Sequence, residues 1–307
     1  MIPIKRFSHI SLAELEQLIQ NPRYPFIVDD AISLFEWNAI TDLITEENLS
    51  SLHSSSDIVG FVPLGQHDAV EMSLPDAVKR LFTFGGYING WEYFAGDCEQ
   101  LKHAAAPITQ VLQRNSVLPK LGPSAAMLDS VMRWIFISRG PNAGSSWHVD
   151  PLGSVAWMIQ VIGKKEWWLR TDKINYNGIL SPGDLLIVPS EMEHRVANIG
   201  ESLNVAISHN WVIGQTTSEN EMWSRLIEAL EKLHEFTEVN GEQQSENSAL
   251  LENFHNSCIL DNLLFGLLMV IVYSDVETIK MNFGSELSKD VLSRVLASLS
   301  KVQHIVR

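Results

Sequence analysis

The chain has 307 residues, 45% of them hydrophobic, with a formal charge of −15 and a pI near 5.0. That length can bury a full core and exceeds one typical domain without requiring two, so one large domain with an appendage is expected. The acidic balance disfavours a nucleic-acid groove, because affinity for a polyanion comes mostly from clustered Lys and Arg; a basic peptide or a small molecule remains compatible with it.

Met1 to Arg6 leads into polar residues, with no basic segment followed by a long apolar stretch, so no signal peptide is expected. Ser11 to Ile19 opens with a Ser cap and repeats apolar residues at helical spacing, as do Ile32 to Ile44 and Ser73 to Leu81. Pro25 to Val28 and Ile58 to Val62 read as strands between them. From about Met132 to Val212 the character changes. There β-rich runs (Met132–Ser138, Val155–Ile162, Glu166–Leu169, Leu185–Val188 and Leu203–Ile207) alternate with turns at Gly140 to Gly144, Gly163-Lys164 and Ser181 to Asp184. No helix-length segment separates these short strands, which points to a sandwich or jelly roll rather than a parallel βαβ sheet.

The tail differs again. Glu219 to Phe236 places Trp223, Leu226, Ile227, Leu230 and Leu233 at helical spacing, Asn240 to Asn247 is a polar connector, and the chain from Ala249 reads as helical, with Ser288 to Val302 amphipathic. The apolar run Leu263 to Tyr273 is about eleven residues, short of the roughly 20 that span a bilayer, and reads as a buried helix or a subunit contact. Two isolated cysteines, Cys98 and Cys258, make neither a disulfide framework nor a CxxC pair, so a reducing, cytoplasmic location is expected. The expected fold class is mainly β with flanking helices: a β domain over residues 1–214 and a helical region over residues 215–307.

Three side chains that can ligate a metal stand at predicted strand edges: His148 and Asp150 in Trp147-His148-Val149-Asp150, and His194 in Glu193-His194-Arg195-Val196. Two imidazoles and a carboxylate suit divalent iron, holding one face of an octahedron and leaving the other open. In a strand the i, i+2 spacing puts His148 and Asp150 on one side, about 6–7 Å apart, with His194 arriving from a facing strand. With 10 His and 37 acidic residues, about one H-x-[DE] triplet arises by chance, so the flanking sequence has to decide.

That flanking sequence runs from Gly144 to Trp157 (GSSWHVDPLGSVAW), through Gly163-Lys164-Lys165-Glu166-Trp167 and Pro182 to His194 (PGDLLIVPSEMEH), to Ser208-His209-Asn210-Trp211. In order and spacing it resembles the JmjC-domain 2-oxoglutarate oxygenases, closest to the hydroxylase branch. The likeness is strong from about Arg133 to Trp211, fainter back to about Pro25, and absent after about Gly214. It implies a double-stranded β-helix (jelly roll, cupin) core with His148, Asp150 and His194 as ligands of Fe(II). It also implies Lys165 as the cation for the distal carboxylate of 2-oxoglutarate, Ser145 and Tyr93 as hydroxyl donors to the same carboxylate, and Asn210 as the polar residue near the end of the last core strand. A buried dianion needs a cation together with neutral donors, which agrees with that set, although Lys164 is the alternative inward lysine. Close relatives carry an Asn ten residues past the first His, where this chain has Met158.

Other features take plainer readings. His209 should point to the opposite strand face from Asn210, into core or surface. Trp134, Trp157, Trp167 and Trp168 read as packing. Ser145, Ser146, His148 and Asp150 lack the G-x-S-x-G elbow of a hydrolase. The resemblance implies oxidation, by default hydroxylation, of an amino-acid side chain in a peptide or protein, or of a small amino-acid-like metabolite. The acidic charge and the short apolar run point to no nucleic-acid or membrane partner, and the helical tail resembles the C-terminal helices through which related hydroxylases dimerise, so a homodimer is expected. Two other classes stay open: a 2-oxoglutarate-independent cupin dioxygenase or isomerase, for which Lys165 is dispensable, and a non-catalytic JmjC binding module that holds iron weakly.

Overall fold

The computed structural model describes residues 1–35, 57–66, 68–92, 132–150, 154–211, 227–236 and 289–306, with isolated positions 103, 109–111, 116, 268, 272 and 277. The chain divides into two compact units. The first comprises Met1–Asn115, Ser130–Asp150 and Val155–Trp211, and the second Ser116–Asp129, Pro151–Ser154 and Val212–Arg307. The described structure is mainly β with a few helices.

In chain order the first unit contains β1 (Ile2–Pro3), β2 (Lys5–Phe7), α1 (Leu12–Leu18), β3 (Phe26–Val28), a 3-10 turn (Ala31–Phe35), β4 (Ile58–Pro63), β5 (Val70–Ser73), α2 (Leu74–Phe84) and β6 (Gly86–Trp91). It continues with β7 (Arg133–Arg139), β8 (Val155–Ile162), β9 (Lys165–Arg170), β10 (Asn175–Leu180), β11 (Leu185–Val188), β12 (Glu193–Asn198) and β13 (Leu203–Trp211). The expected helix at Ser11 is α1. Its Ser11 hydroxyl accepts the Glu14 N–H at 3.3 Å while the Glu14 carboxylate accepts the Ser11 N–H at 2.7 Å, a reciprocal cap that satisfies two helix-end donors. Ser73 caps α2, its hydroxyl accepting the Asp76 N–H at 3.3 Å, and Leu74, Ala77, Val78 and Leu81 form the buried face of that helix at helical spacing. Of the helix expected over Ile32 to Ile44, the part up to Phe35 is the 3-10 turn, and the rest lies outside the described residues.

The strands form two sheets, a smaller one in the order β1-β10-β9-β12 and a nine-stranded one in the order β2-β3-β11-β8-β13-β7-β6-β4-β5. They meet through one apolar cluster. Trp167, Leu169, Tyr176, Leu180 and Val196 come from the smaller sheet, and Ala156, Met158, Leu186, Val188 and Ala206 from the larger. The arrangement is compatible with a β-sandwich, two layers joined by interdigitating inner faces. β8 is buried at seven of its eight positions and β13 at all nine, so both of their faces leave water, which is why their sequences read as continuous apolar runs instead of alternating. Gly163, at φ +74, makes the β8–β9 turn, where a side chain would meet Asn204 Oδ1 at 2.4 Å.

In the second unit, residues 227–236 are helical and bury Ile227, Ala229, Leu230 and Leu233, and α3 (Lys289–Val306) buries Val295 and Leu299. Of the run Leu263 to Tyr273, only Leu268 and Val272 are described; both are helical and buried. Among the described residues no helix is long and apolar enough to cross a membrane.

Candidate metal centre

The site begins with the segment 142–148, which lies along the free edge of β12. The Asn198 N–H donates to Ala143 O at 2.9 Å and the Val196 N–H to Ser145 O at 3.3 Å, and His148 and His194 exchange both backbone bonds, at 3.0 and 2.9 Å. This close approach requires Gly144: a Cβ there would stand 2.0 Å from Val196 O. The expected geometry changes in one respect. His194 does not face His148 from across the sandwich but sits beside it as a hydrogen-bonded pair, and of the HxD triplet only His148 makes a ladder contact. The pairing brings the two imidazole rings to 4.3 Å between centroids.

One donor atom from each of His148, Asp150 and His194 lies within 4.8 Å of the other two, with Asp150 Oδ1 3.9 Å from His194 Nε2. Both imidazoles are set by the same local device. His148 Nδ1 lies 2.8 Å from Ser146 O and His194 Nδ1 lies 3.0 Å from Met192 O. A carbonyl can only accept, so each Nδ1 carries a proton, and in the neutral ring Nε2 is left to present its lone pair. Burial holds His194 below the usual imidazole range, opposed by Asp150 and helped by His148, which favours the neutral ring that a metal requires. Trp167 stacks on the His194 ring at 5.7 Å. Asp150 Oδ2 is buried with no hydrogen-bond partner among the described residues. Two imidazole nitrogens and an unsatisfied carboxylate oxygen make a donor set for a divalent metal ion, and the unmade bond at Oδ2 is one that a cation would satisfy.

Beside the triad is a cavity of about 50 Å³ between the sheets, room for a few water-sized groups. Its wall includes Ser145, Met158 and Asn210, together with Tyr87, Asn89, Trp134 and Ser208. Met158 is thus in the wall, so an apolar side chain stands where the JmjC resemblance leads one to expect an amide. Asn210 reaches the cavity from β13, whereas His209 points the other way and packs edge-on to Trp157 at 6.1 Å, as strand alternation requires. Lys165 is the inward lysine; Lys164 is exposed. Lys165 is fully buried, its Nζ has no hydrogen-bond partner among the described residues, and it lies 5.4 Å from the centroid of the Tyr87 ring. Burial pushes its pKa down to about 7.

Tyr93 lies outside the described residues. The phenol that the structure brings to Lys165 and to the cavity is that of Tyr87, which burial holds in its protonated form by raising its pKa. Sequence pattern offered no sign of it, since Gly86-Tyr87-Ile88-Asn89-Gly90-Trp91 carries two glycines and little alternation.

On the outer face of the smaller sheet the residues preceding each histidine are tied together. Arg170 Nη2 donates to Glu193 Oε1 at 2.8 Å, its Nε donates to the other carboxylate oxygen, and its guanidinium lies 4.2 Å over the Trp147 ring. Arg195 stacks on the same indole at 5.3 Å and on Trp168 at 4.3 Å. Of the four tryptophans read as packing, Trp157 and Trp167 are buried, Trp134 lines the cavity, and Trp168 stands half-buried on this outer face. No protein-family model and no curated protein matches the chain.

Proposed function

We propose that this chain is an Fe(II)- and 2-oxoglutarate-dependent oxygenase of the JmjC kind. Its two sheets would form a double-stranded β-helix, and it would hydroxylate an amino-acid side chain in a peptide or protein, or a small amino-acid-like metabolite. One observation carries the reading: a metal-ready His148–Asp150–His194 triad opens on a cavity walled by Tyr87, whose ring lies 5.4 Å from the fully buried Lys165 Nζ, an amine with no hydrogen-bond partner among the described residues. A metal alone has no need of a buried cation nearby. A dianionic cosubstrate does, because each charge offsets the cost of burying the other.

Bound there, iron with 2-oxoglutarate and O2 supplies the oxidation of a C–H bond, coupled to conversion of 2-oxoglutarate to succinate and CO2. His148 and His194 present neutral Nε2 lone pairs, and Asp150 contributes the negative charge. Lys165 would hold the distal carboxylate of the cosubstrate, with the Tyr87 hydroxyl as a neutral donor beside it and Ser145 and Asn210 in the same wall. Ala156, Met158 and Val188 keep the remaining wall apolar and exclude water.

The test is an anaerobic titration of Fe(II)-loaded protein with 2-oxoglutarate, following the weak visible charge-transfer band of the chelate. A band that is lost in His194→Ala and weakened in Lys165→Ala supports the proposal. Absence of the band in metal-replete wild-type protein overturns it.

A further inference from the structure

An open groove of about 750 Å³ lies in the first unit and shares Tyr87, Ser145 and Val196 with the wall of the inner cavity beside the triad. Its described lining has two charged side chains, Glu166 and Arg195. Glu166 is engaged by Asn177, whose Nδ2 donates to Oε1 at 2.9 Å. Arg195 is exposed and pairs with no carboxylate among the described residues, although the chain as a whole is strongly acidic. The neighbouring Arg170, by contrast, is neutralised by Glu193. The Trp147 and Trp168 rings hold the Arg195 guanidinium at 5.3 and 4.3 Å, and stacking of this kind fixes the plane while leaving N–H edges free for an oxyanion.

The groove also presents backbone. Ala143 and Ser145 turn their carbonyls to β12, with Gly144 between them. The Gly144 N–H and C=O make no hydrogen bond among the described residues, and Gly144 lines the groove. Backbone groups left unpaired beside a side-chain pocket can take an extended peptide through main-chain hydrogen bonds.

We infer that this groove is the substrate surface and takes an acidic peptide, laid against Gly144 with a Glu or Asp carboxylate on Arg195. The inference rests on the oxygenase reading and names its substrate class. It replaces the basic peptide that the net charge alone favours, because the local charge at the groove opposes the charge of the whole chain. The preorganised guanidinium loses little freedom on binding, so the contact should be selective as well as attractive.

The test uses the full chain and three pentapeptides, acetyl-Ala-Ala-Xaa-Ala-Ala-amide with Glu, Gln or Lys at the centre, followed by calorimetry and tryptophan fluorescence. The Glu peptide should bind about tenfold or more tighter than the Gln peptide, and Arg195→Gln should abolish that preference while Arg195→Lys keeps part of it. Equal affinity for the Glu and Gln peptides, or an unchanged preference in Arg195→Gln, overturns the inference. So does acetyl-glutamate amide binding as tightly as the pentapeptide, because it has no chain to pair with Gly144. Manganese(II) separates the two readings: its failure to bind, or equal binding to His194→Ala, sinks the metal centre whatever the peptides do. With manganese bound, paramagnetic broadening of the Glu peptide's resonances places the groove beside the metal, and absence of broadening in a peptide-saturated sample overturns its assignment as the substrate surface.

Discussion

Replacing Lys165 with methionine removes a buried amine that has no hydrogen-bond partner among the described residues, while keeping a similar length of side chain. The gap between the ordinary lysine pKa of 10.5 and about 7, at about 1.4 kcal/mol per pH unit, puts the cost of the charged form on the order of 5 kcal/mol. Methionine has no such cost, so at pH 6 Lys165→Met should be the more stable protein, by at most that amount and less where local relaxation admits water. The sign follows from proton binding. Between about pH 7 and 10.5 the unfolded chain holds the lysine proton and the folded chain does not, so the wild type gains stability relative to Lys165→Met as pH rises through that window, and the advantage of the variant fades. Urea unfolding of both proteins at pH 6, 7.5 and 9 without metal measures it. A variant that is less stable than wild type, by the same amount at every pH, would refute the reasoning, since Lys165 would then be held by partners rather than stranded.

Gly144→Ala places a Cβ 2.0 Å from Val196 O, which should lift the 142–148 segment from β12 and cost about 1–3 kcal/mol in unfolding experiments; manganese affinity should fall with it. Arg170→Ala unties Trp147 from Glu193 and should weaken metal binding by about tenfold or more, with Arg170→Lys intermediate because an ammonium cannot make the bidentate contact; a cobalt titration reads both. Ser11→Ala removes the α1 cap and should cost about 1 kcal/mol in urea unfolding with metal affinity unchanged, a control for general destabilisation.

The sequence yields its strands in proportion to how apolar they are. Val155–Ile162 and Leu185–Val188 read with the bounds that the structure gives, because their neighbours bury both faces or the whole run. β10 escapes notice, and β12 is anticipated only through His194, for the opposite reason. Asn175–Leu180 carries polar residues and a glycine, and Glu193–Asn198 points His194, Val196 and Asn198 inward, so two of its three buried side chains are polar. A period-2 pattern is present there, but hydrophobicity does not report it. The same limit applies to the site. His148, Asp150, His194 and Lys165 announce themselves by residue type and local motif. Tyr87 and Arg170 reach the site only through strand pairing, which no short window of sequence contains.

The backbone pair between His148 and His194 closes a loop that contains all of β8 to β11. Contacts between such distant segments carry a loop-closure cost before they return anything, so they belong to the later stages of folding. A metal ion seated across that pair therefore acts as a clasp on a finished structure, and stabilisation added after the folding barrier appears in the unfolding rate. Metal loading should lengthen the lifetime of the native state while leaving the speed of folding nearly unchanged.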